Sequence, residues 1–492
     1  MINFRGKSMH MQFLRIPFYM TMISSAICLF SSEQNPKVLV IGGGIAGLTA
    51  AYRLQEAGMN VDLYEARNRV GGRILSAKVN NCTAELGGHN ISDGGEAFHL
   101  HRLINEFNLP LTSSRVYSRY SYFNGKELIS EGEMLKGYEV DSTTLKSKID
   151  SLAQTSASVK EILDKIVNPE DPLYKVLAVR MAAYEGNTIE NLSYLYSETL
   201  FHMMLGGICS VHQGNSEGDN YVDFLSVKGG NSLLPEEIKK RLGSKIHLDM
   251  PLVKVTKKED GSFTLNFKNG KEVNADILVL AIPCSVYKDI IFEGNVIPSE
   301  RLEAICNIEY GKNAKIVIPF NDFIPKADVL VNDAVVAYFD NVERILTLYH
   351  TGNSSIFSSK TISNAYTDAR AMIEMEFGEN CPPFNYPSYA EDKVGVSYNG
   401  PTGYSWPNDP YVKGTYSYVG IGQEMTLLST KTCRAETFKT LFTPIEDKLY
   451  FAGEHTSILF DVPGTMEAAC ESGERVARAI VESRRGSLKT LQ

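Results

Sequence analysis

The first clear rhythm along the chain is apolar without alternation. Residues Lys37–Ile41 read Lys-Val-Leu-Val-Ile and run into glycines, the pattern of a strand buried on both faces of a parallel sheet. Helical spacing follows over 45–57, with Gly58 placed to stop the helix in the left-handed conformation. Residues 61–64 return to strand and end on Glu65, so 37–65 predicts one βαβ unit. Further on, Lys228-Gly229-Gly230-Asn231 leads into a predicted helix over Leu233–Leu242. Three strands are predicted after it, at 245–255, 262–266 and 272–280, separated by the turns Glu259-Asp260-Gly261 and Lys268-Asn269-Gly270. A last strand is predicted at 449–452. Met466, Ala469, Cys470, Gly473, Ala477 and Ile480 then recur at helical spacing.

This order predicts an α/β protein in which a Rossmann-like dinucleotide-binding domain is interleaved with an α+β substrate-binding domain. The first domain collects 37–89, 226–309 and 445–485. The second collects 90–225 and 310–444, which carry no glycine-rich phosphate signature. A length of 492 residues is too great for one core and agrees with two domains.

The N-terminus follows a different pattern. Lys7 and Arg15 precede an uncharged stretch over 16–30, followed by Ser31 and Ser32, the layout of an export signal over 1–32. The stretch is shorter than the roughly 20 residues a bilayer span needs. The expectation is a signal peptide and export, periplasmic or secreted, with an uncleaved membrane anchor as the alternative. No other stretch reads as a stable membrane span.

Charge and cysteine content narrow the chemistry. A net charge of -9 without a basic run excludes nucleic acid as a partner. Eight scattered cysteines without paired CxxC spacing predict mostly buried thiols and no metal site. Gly42, Gly44 and Gly47 match G-x-G-x-x-G directly after a strand, where glycines allow the tight turn, the backbone approach to a pyrophosphate and close helix packing. Ile45 and Ala46 open the helix, whose N-terminal amides favour phosphate. Glu65, at the end of the second strand, is placed to accept from ribose hydroxyls.

The continuation identifies a family resemblance. Glu65-Ala66-Arg67-Asn68-Arg69-Val70-Gly71-Gly72-Arg73, Glu85-Leu86-Gly87-Gly88, Lys228-Gly229-Gly230 with Val253, Phe451-Ala452-Gly453-Glu454-His455-Thr456 and Gly464-Thr465-Met466-Glu467 resemble, in order, the flavin-containing amine oxidoreductases. That family includes monoamine, polyamine and L-amino-acid oxidases. The resemblance implies FAD, with Glu65 and Ala66 at the adenosine ribose, followed by Arg67, and with Gly72 and Arg73 at the phosphates. It also implies Gly87 and Gly88 at the flavin side with His89 beside them, Val253 at the adenine, and Gly453 and Glu454 near the ribityl phosphate. Amides around Gly464, Thr465 and Met466 would face the flavin pyrimidine edge. His89 and His455 lack metal-ligand spacing and also read as structural.

By the same resemblance Lys315 holds a water near flavin N5, with Lys288 and Lys312 as competing candidates, and Trp406 and Tyr416 belong to the aromatic site. Thr415 stands nine residues after Trp406, where some relatives carry the cysteine that links flavin. Threonine forms no thioether, so the FAD is expected to be non-covalent. Thr465 stands where relatives place the second cage aromatic. Asn90 replaces the arginine that pairs with substrate carboxylate in L-amino-acid oxidases, leaving Arg180 or Arg344 to serve if the substrate is an amino acid. The expected function is oxidation of a primary or secondary amine to an imine by hydride transfer to flavin, with molecular oxygen or another acceptor taking the electrons and hydrogen peroxide formed. The alternatives are a desaturase or porphyrinogen-type oxidase, an L-amino-acid oxidase with a non-standard carboxylate site, and a flavin-binding scaffold without turnover. A homodimer is left open.

Overall fold

The central strand β1 (Lys37–Ile41) pairs in parallel with β2 (Asn60–Tyr64) on one side and with Ile277–Leu280 on the other. Leu449–Phe451 and Ile246–His247 complete a five-stranded parallel sheet. Val38, Leu39 and Val40 are fully buried, which is why the run shows no polar alternation. This computed structural model describes residues 35–91, 97–117, 119–136, 142–152, 156–212, 221–381, 387–460 and 462–489. The expected signal at 1–32 lies outside the described residues.

Helix α1 (Ile45–Glu56) connects β1 to β2 and is capped at Ala57, with Gly58 at φ 77°. The C-terminal helix, Met466–Lys489, packs along α1. At the crossing, a Cβ on Gly473 would collide with the Ala46 carbonyl and lie 2.9 Å from Thr49 Cβ. Only glycine lets the two backbones approach this closely.

Two predicted strands are each divided between sheets. The 245–255 segment becomes Ile246–His247, at the edge of the parallel sheet, and Leu252–Lys257, in a separate four-stranded sheet, with Asp249 at φ 57° turning the chain between them. The 272–280 segment breaks at Asp276 into Glu272–Ala275 and Ile277–Leu280. The Asp276 carboxylate accepts from the Lys37 amide at 2.8 Å. Both halves of such a run are extended and apolar, so periodicity alone does not register a change of sheet.

The remaining segments build an eight-stranded sheet around Asn313–Pro319, Ile345–Thr351 and Thr402–Ser405. Its strands alternate cleanly. Ile316, Ile318, Leu346 and Leu348 face the helix Ile362–Phe377 in one apolar cluster. Lys315, Thr347 and Tyr349 therefore point to the opposite face. Val317, on that face, packs with Leu75 and Leu86, the residue before Gly87. The helices Val159–Ile166, Pro172–Glu185 and Tyr194–His212 share a further core with Tyr418.

The expectation of mostly buried thiols is corrected for the described cysteines. Cys284 and Cys470 are buried, whereas Cys82, Cys306, Cys381 and Cys433 are partly exposed. Among the described residues no helix is long and apolar enough to cross a membrane, and no cluster of metal-ligating side chains occurs.

Candidate active site

The glycine loop forms a cradle whose two walls differ. A Cβ on Gly42, at φ 107°, would meet the Ala281 carbonyl, and one on Gly47 would collide with the Gly42 carbonyl oxygen. Gly44 is the exception, because a Cβ there would meet nothing within 4 Å. It is the N-cap of α1, which has no side-chain cap and no acidic residue in its first turn. Ile45 and Ala46 thus begin an uncapped helix facing open space, the arrangement that accepts an anion. The glycine roles fit a pyrophosphate.

Glu65 is buried beside the loop. Its carboxylate accepts from the Gly43 amide at 2.5 Å and the Arg67 amide at 2.9 Å, with half-buried Ala66 between them. Burial raises its carboxyl above the ordinary range against the pull of Arg67. The Glu65 carbonyl accepts from the Met250 amide at 2.8 Å, which aligns the 247–250 segment and the start of Leu252–Lys257 with the loop. The register shifts between Leu252 and Lys254, so Val253 is left out of the ladder to Phe263–Phe267. A bulge of this kind frees backbone groups from the ladder, as a contact to an adenine would need.

The Arg67 side chain differs from expectation. Its guanidinium is held by Asp392 at 2.5 Å and Asp409 at 2.7 Å and stacks on Tyr411, so it ties the two halves of the chain together. Arg73 remains near the cradle. It donates to the Thr415 carbonyl and to Glu454 at 3.0 Å. Burial pushes the Glu454 carboxyl up, but Arg73 and the Ser417 hydroxyl hold it below the ordinary range. Gly453, at φ 138°, brings His455 against its own backbone. Burial pushes His455 down to about 4, and its Nδ1 lies 3.4 Å from the Tyr310 hydroxyl, so it is a neutral packing residue.

Gly72, at φ 56°, would place a Cβ 3.0 Å from Gly44 Cα, so the two glycine segments touch. A Cβ on Gly87 would collide with the Arg73 carbonyl, and one on Gly88 would lie 3.1 Å from Met466 Sδ. Arg73, Gly87, Gly88 and Met466 therefore converge. Thr465 turns its hydroxyl inward, accepting from the Ala468 amide at 3.2 Å and donating to Val462 at 2.7 Å. It is the N-cap of the terminal helix, a role readable from a threonine following Pro463-Gly464.

Lys315 stands on the inner face of the large sheet, in register with Tyr349 on one side and Tyr404 on the other. Its amine is buried and donates to the Gly87 carbonyl at 2.7 Å and the Glu85 carbonyl at 3.3 Å. Burial lowers its affinity for a proton below the ordinary lysine range, opposed by the nearby Glu85 carboxylate. Lys288 and Lys312 are exposed and do not compete. Trp406 is buried and donates from its indole to the Leu86 carbonyl at 2.9 Å, next in chain to Gly87. It braces the loop from behind, packed edge-on to Tyr404 at 4.8 Å.

Tyr416 lies against Gly464, where a Cβ would come 3.1 Å from its ring. Its hydroxyl lies 3.4 Å from that of Tyr349. Thr415 is buried, with its hydroxyl 2.9 Å from Asn313 Oδ1. Sequence reasoning missed Tyr349, which alternation against Leu348 would have placed on the face of Lys315. It also missed Glu185, the last residue of its helix. Glu185 is buried and, among the described residues, meets no cation; burial alone raises it to about 7. Tyr196, Tyr349 and Tyr416 all lie within its field.

Several expected residues are turned elsewhere. His89 faces Tyr338 and lies 3.9 Å from Asp340, and burial with Lys315 pushes it down to about 3, so its side chain adjoins a carboxylate cavity rather than the cradle. Arg180 is bound by Glu131 and Tyr122 and lies over the Tyr120 ring. Arg344 pairs with Asp322 at the surface. Neither of these arginines is free to replace the one absent at Asn90.

Comparison with known proteins agrees with this geometry. The family model "Flavin containing amine oxidoreductase" matches residues 45–373 and 402–481. Polyamine oxidase 2 of Arabidopsis thaliana is 25% identical, with 95% of this chain and 94% of that protein covered. L-amino-acid oxidase of Demansia vestigiata is 24% identical over 91% of this chain and 87% of its own length. Among solved structures, cyclohexylamine oxidase from Brevibacterium oxydans IH-35A superposes with a TM-score of 0.68 at 18% identity, covering 92% of this chain and 100% of that one. The fold is accordingly a Rossmann-like FAD-binding domain joined to a substrate-binding domain. The chain belongs to the flavin-containing amine oxidoreductase family.

Proposed function

We propose that this chain is an amine oxidase that binds FAD non-covalently and oxidises a primary or secondary amine to an imine, with oxygen reduced to hydrogen peroxide. The observation that carries the reading is the buried Lys315 amine on the Gly87 carbonyl, on a sheet face shared with Tyr349 and next to Tyr416. In this reading 37–89, 226–309 and 445–485 hold the cofactor, and 90–225 and 310–444 hold the substrate. Residues 1–32 direct export.

The residues that would hold FAD are the α1 N-terminus with Gly42, Gly44 and Gly47 at the pyrophosphate, Glu65 at the ribose, Val253 at the adenine, and Arg73 with Glu454 near the ribityl chain. Gly87, Gly88, Gly464 and Met466 would border the flavin. Bound there, the flavin supplies the hydride acceptor and passes electrons to oxygen. The protein orients and desolvates the amine. Tyr349 and Tyr416 offer rings that suit a cation or a neutral amine. Lys315 positions a proton-bearing group beside the reacting carbon. Thr415, hydrogen-bonded to Asn313, offers no sulfur, so acid precipitation is expected to release all flavin into the supernatant. Flavin retained in the pellet would contradict a non-covalent site.

Glu185 favours an amine that carries a second cationic nitrogen. A buried carboxylate without a cation attracts an ammonium, because water screens the pair little there and the ligand relieves the cost of an unpaired buried charge. Anaerobic reduction by monoamines, diamines, polyamines and amino acids should proceed fastest with di- or polyamines. Glu185→Gln then weakens their binding about 10- to 100-fold, as expected for losing a charged hydrogen bond. Equal loss for monoamines would remove Glu185 from the substrate site. No reduction by any amine would remove the amine reading itself.

A further inference from the structure

One buried carboxylate joins the glycine loop to the strands around Lys315. Asp409 follows the short helical turn Trp406–Asn408, and its side chain is sealed from solvent. One of its oxygens accepts from the Arg67 guanidinium at 2.7 Å and from the Tyr411 amide at 2.8 Å. The other accepts from the Tyr404 hydroxyl at 2.6 Å.

The partners of Asp409 lead to different parts of the site. Arg67 gives its own amide to the Glu65 carboxylate at 2.9 Å. Tyr404 stands in register with Lys315 and packs edge-on against Trp406. The Trp406 indole holds the Leu86 carbonyl, and the Lys315 amine holds the next one along, that of Gly87. Two consecutive carbonyls are therefore gripped by the cross-strand neighbour and the ring neighbour of Tyr404. Asp392 offers a contrast. Its carboxylate takes Arg67 and Arg69, each at 2.5 Å, and is partly exposed. Among the described residues its hydrogen bonds go to those two arginines alone, so it ties segments together without reaching Tyr404. A buried ion pair adds little net stability, because desolvation offsets the attraction, and fixing geometry is a task it can serve.

We infer that Asp409 is a positioning residue for the amine site. Through Tyr404 and Trp406 it fixes the Leu86 and Gly87 carbonyls, and with them the Lys315 amine, relative to the loop that carries Glu65. The inference rests on the reading of Lys315 given above.

Asp409→Asn keeps the shape and removes the charge. In flavin-loaded protein, anaerobic flavin reduction by a diamine should slow about 10- to 100-fold, as a misplacement on the order of 1 Å costs. The amine concentration that gives half the maximal rate should stay as in the parent. In a Lys315→Met background Asp409→Asn should add no further slowing, because the group it positions is gone. Tyr404→Phe deletes only the hydroxyl and should slow reduction by a smaller factor, which also serves if Asp409→Asn does not fold. Asp392→Asn should leave the rate unchanged. Equal slowing by Asp392→Asn, or undiminished slowing in the Lys315→Met background, overturns the inference in favour of a general tie between segments. Parental rates in both Asp409→Asn and Tyr404→Phe overturn it as well.

Trp406 is the only tryptophan of the chain, so a single indole N–H resonance reports its bond to Leu86 in flavin-loaded protein without turnover. Exchange of that proton with solvent should speed several-fold in Asp409→Asn and Tyr404→Phe and stay parental in Asp392→Asn. Unchanged exchange in the first two overturns the inference. If Lys315→Met reduces at the parental rate, or no amine reduces the flavin, the reading of Lys315 fails, while the indole exchange still decides whether Asp409 holds this wall.

Discussion

Lys315→Met is expected to slow amine-driven flavin reduction by about 10²- to 10⁴-fold, the range typical of a positioned proton-transfer group. Anaerobic stopped-flow absorbance of the flavin measures it directly. Methionine retains the stem and its packing but leaves the Gly87 and Glu85 carbonyls without their donor, which costs about 1–3 kcal/mol of stability. Flavin content should remain normal, because these contacts are to the loop and not to the cofactor. The pH profile carries a second signature. Burial lowers the lysine, so in the parent the amine loses its charge below the ordinary lysine range. Reduction should change with pH across that window and the change should vanish in Lys315→Met. A variant that reduces at the parental rate would take Lys315 out of the chemistry.

Gly47→Ala and Gly44→Ala should fail in opposite ways. The Gly47 Cβ would collide with the Gly42 carbonyl, so α1 must move away from β1, and a loss of about 1–3 kcal/mol or more is expected even without flavin. Gly44 lies at φ -69°, ψ 171°, which alanine adopts freely, and its Cβ meets no protein atom. Gly44→Ala should therefore melt like the parent when stripped of flavin yet bind FAD much more weakly, because the methyl occupies the pyrophosphate approach. Calorimetric melts of the apoproteins and flavin titrations separate the two. Normal FAD affinity in Gly44→Ala would show that the phosphates lie elsewhere.

The contrast explains which parts of the molecule were legible. The βαβ unit from Lys37 to Glu65 declares itself because turn, helix stop and strand are all local, and the Gly47 contact is to Gly42, five residues away. Gly473 belongs to the same logic only in retrospect, since its partner Ala46 lies at the other end of the chain. The ion pairs of Arg67 could not be read from its surroundings in sequence, because its charge partners, Asp392 and Asp409, come from the far segment. Strand alternation gives the face of Tyr349 but not its neighbours, and Glu185 gave no local sign. One is an ordinary strand tyrosine and the other the last residue of an ordinary helix, and only the tertiary fold brings their side chains together. The two divided strands show the same limit, because hydrogen-bond partners, unlike periodicity, are not written in the run itself.

The placement of the C-terminal helix on α1 also governs how the protein comes to exist. The nucleotide loop is made long before Leu449–Phe451 and the helix that packs on α1. Until those segments are made the parallel sheet lacks one edge strand, and completing it requires contacts of very high sequence separation. Folding should be slow and vulnerable to aggregation until these late segments arrive. Free FAD, binding only the closed form, would then act as a folding ligand that draws late intermediates to completion.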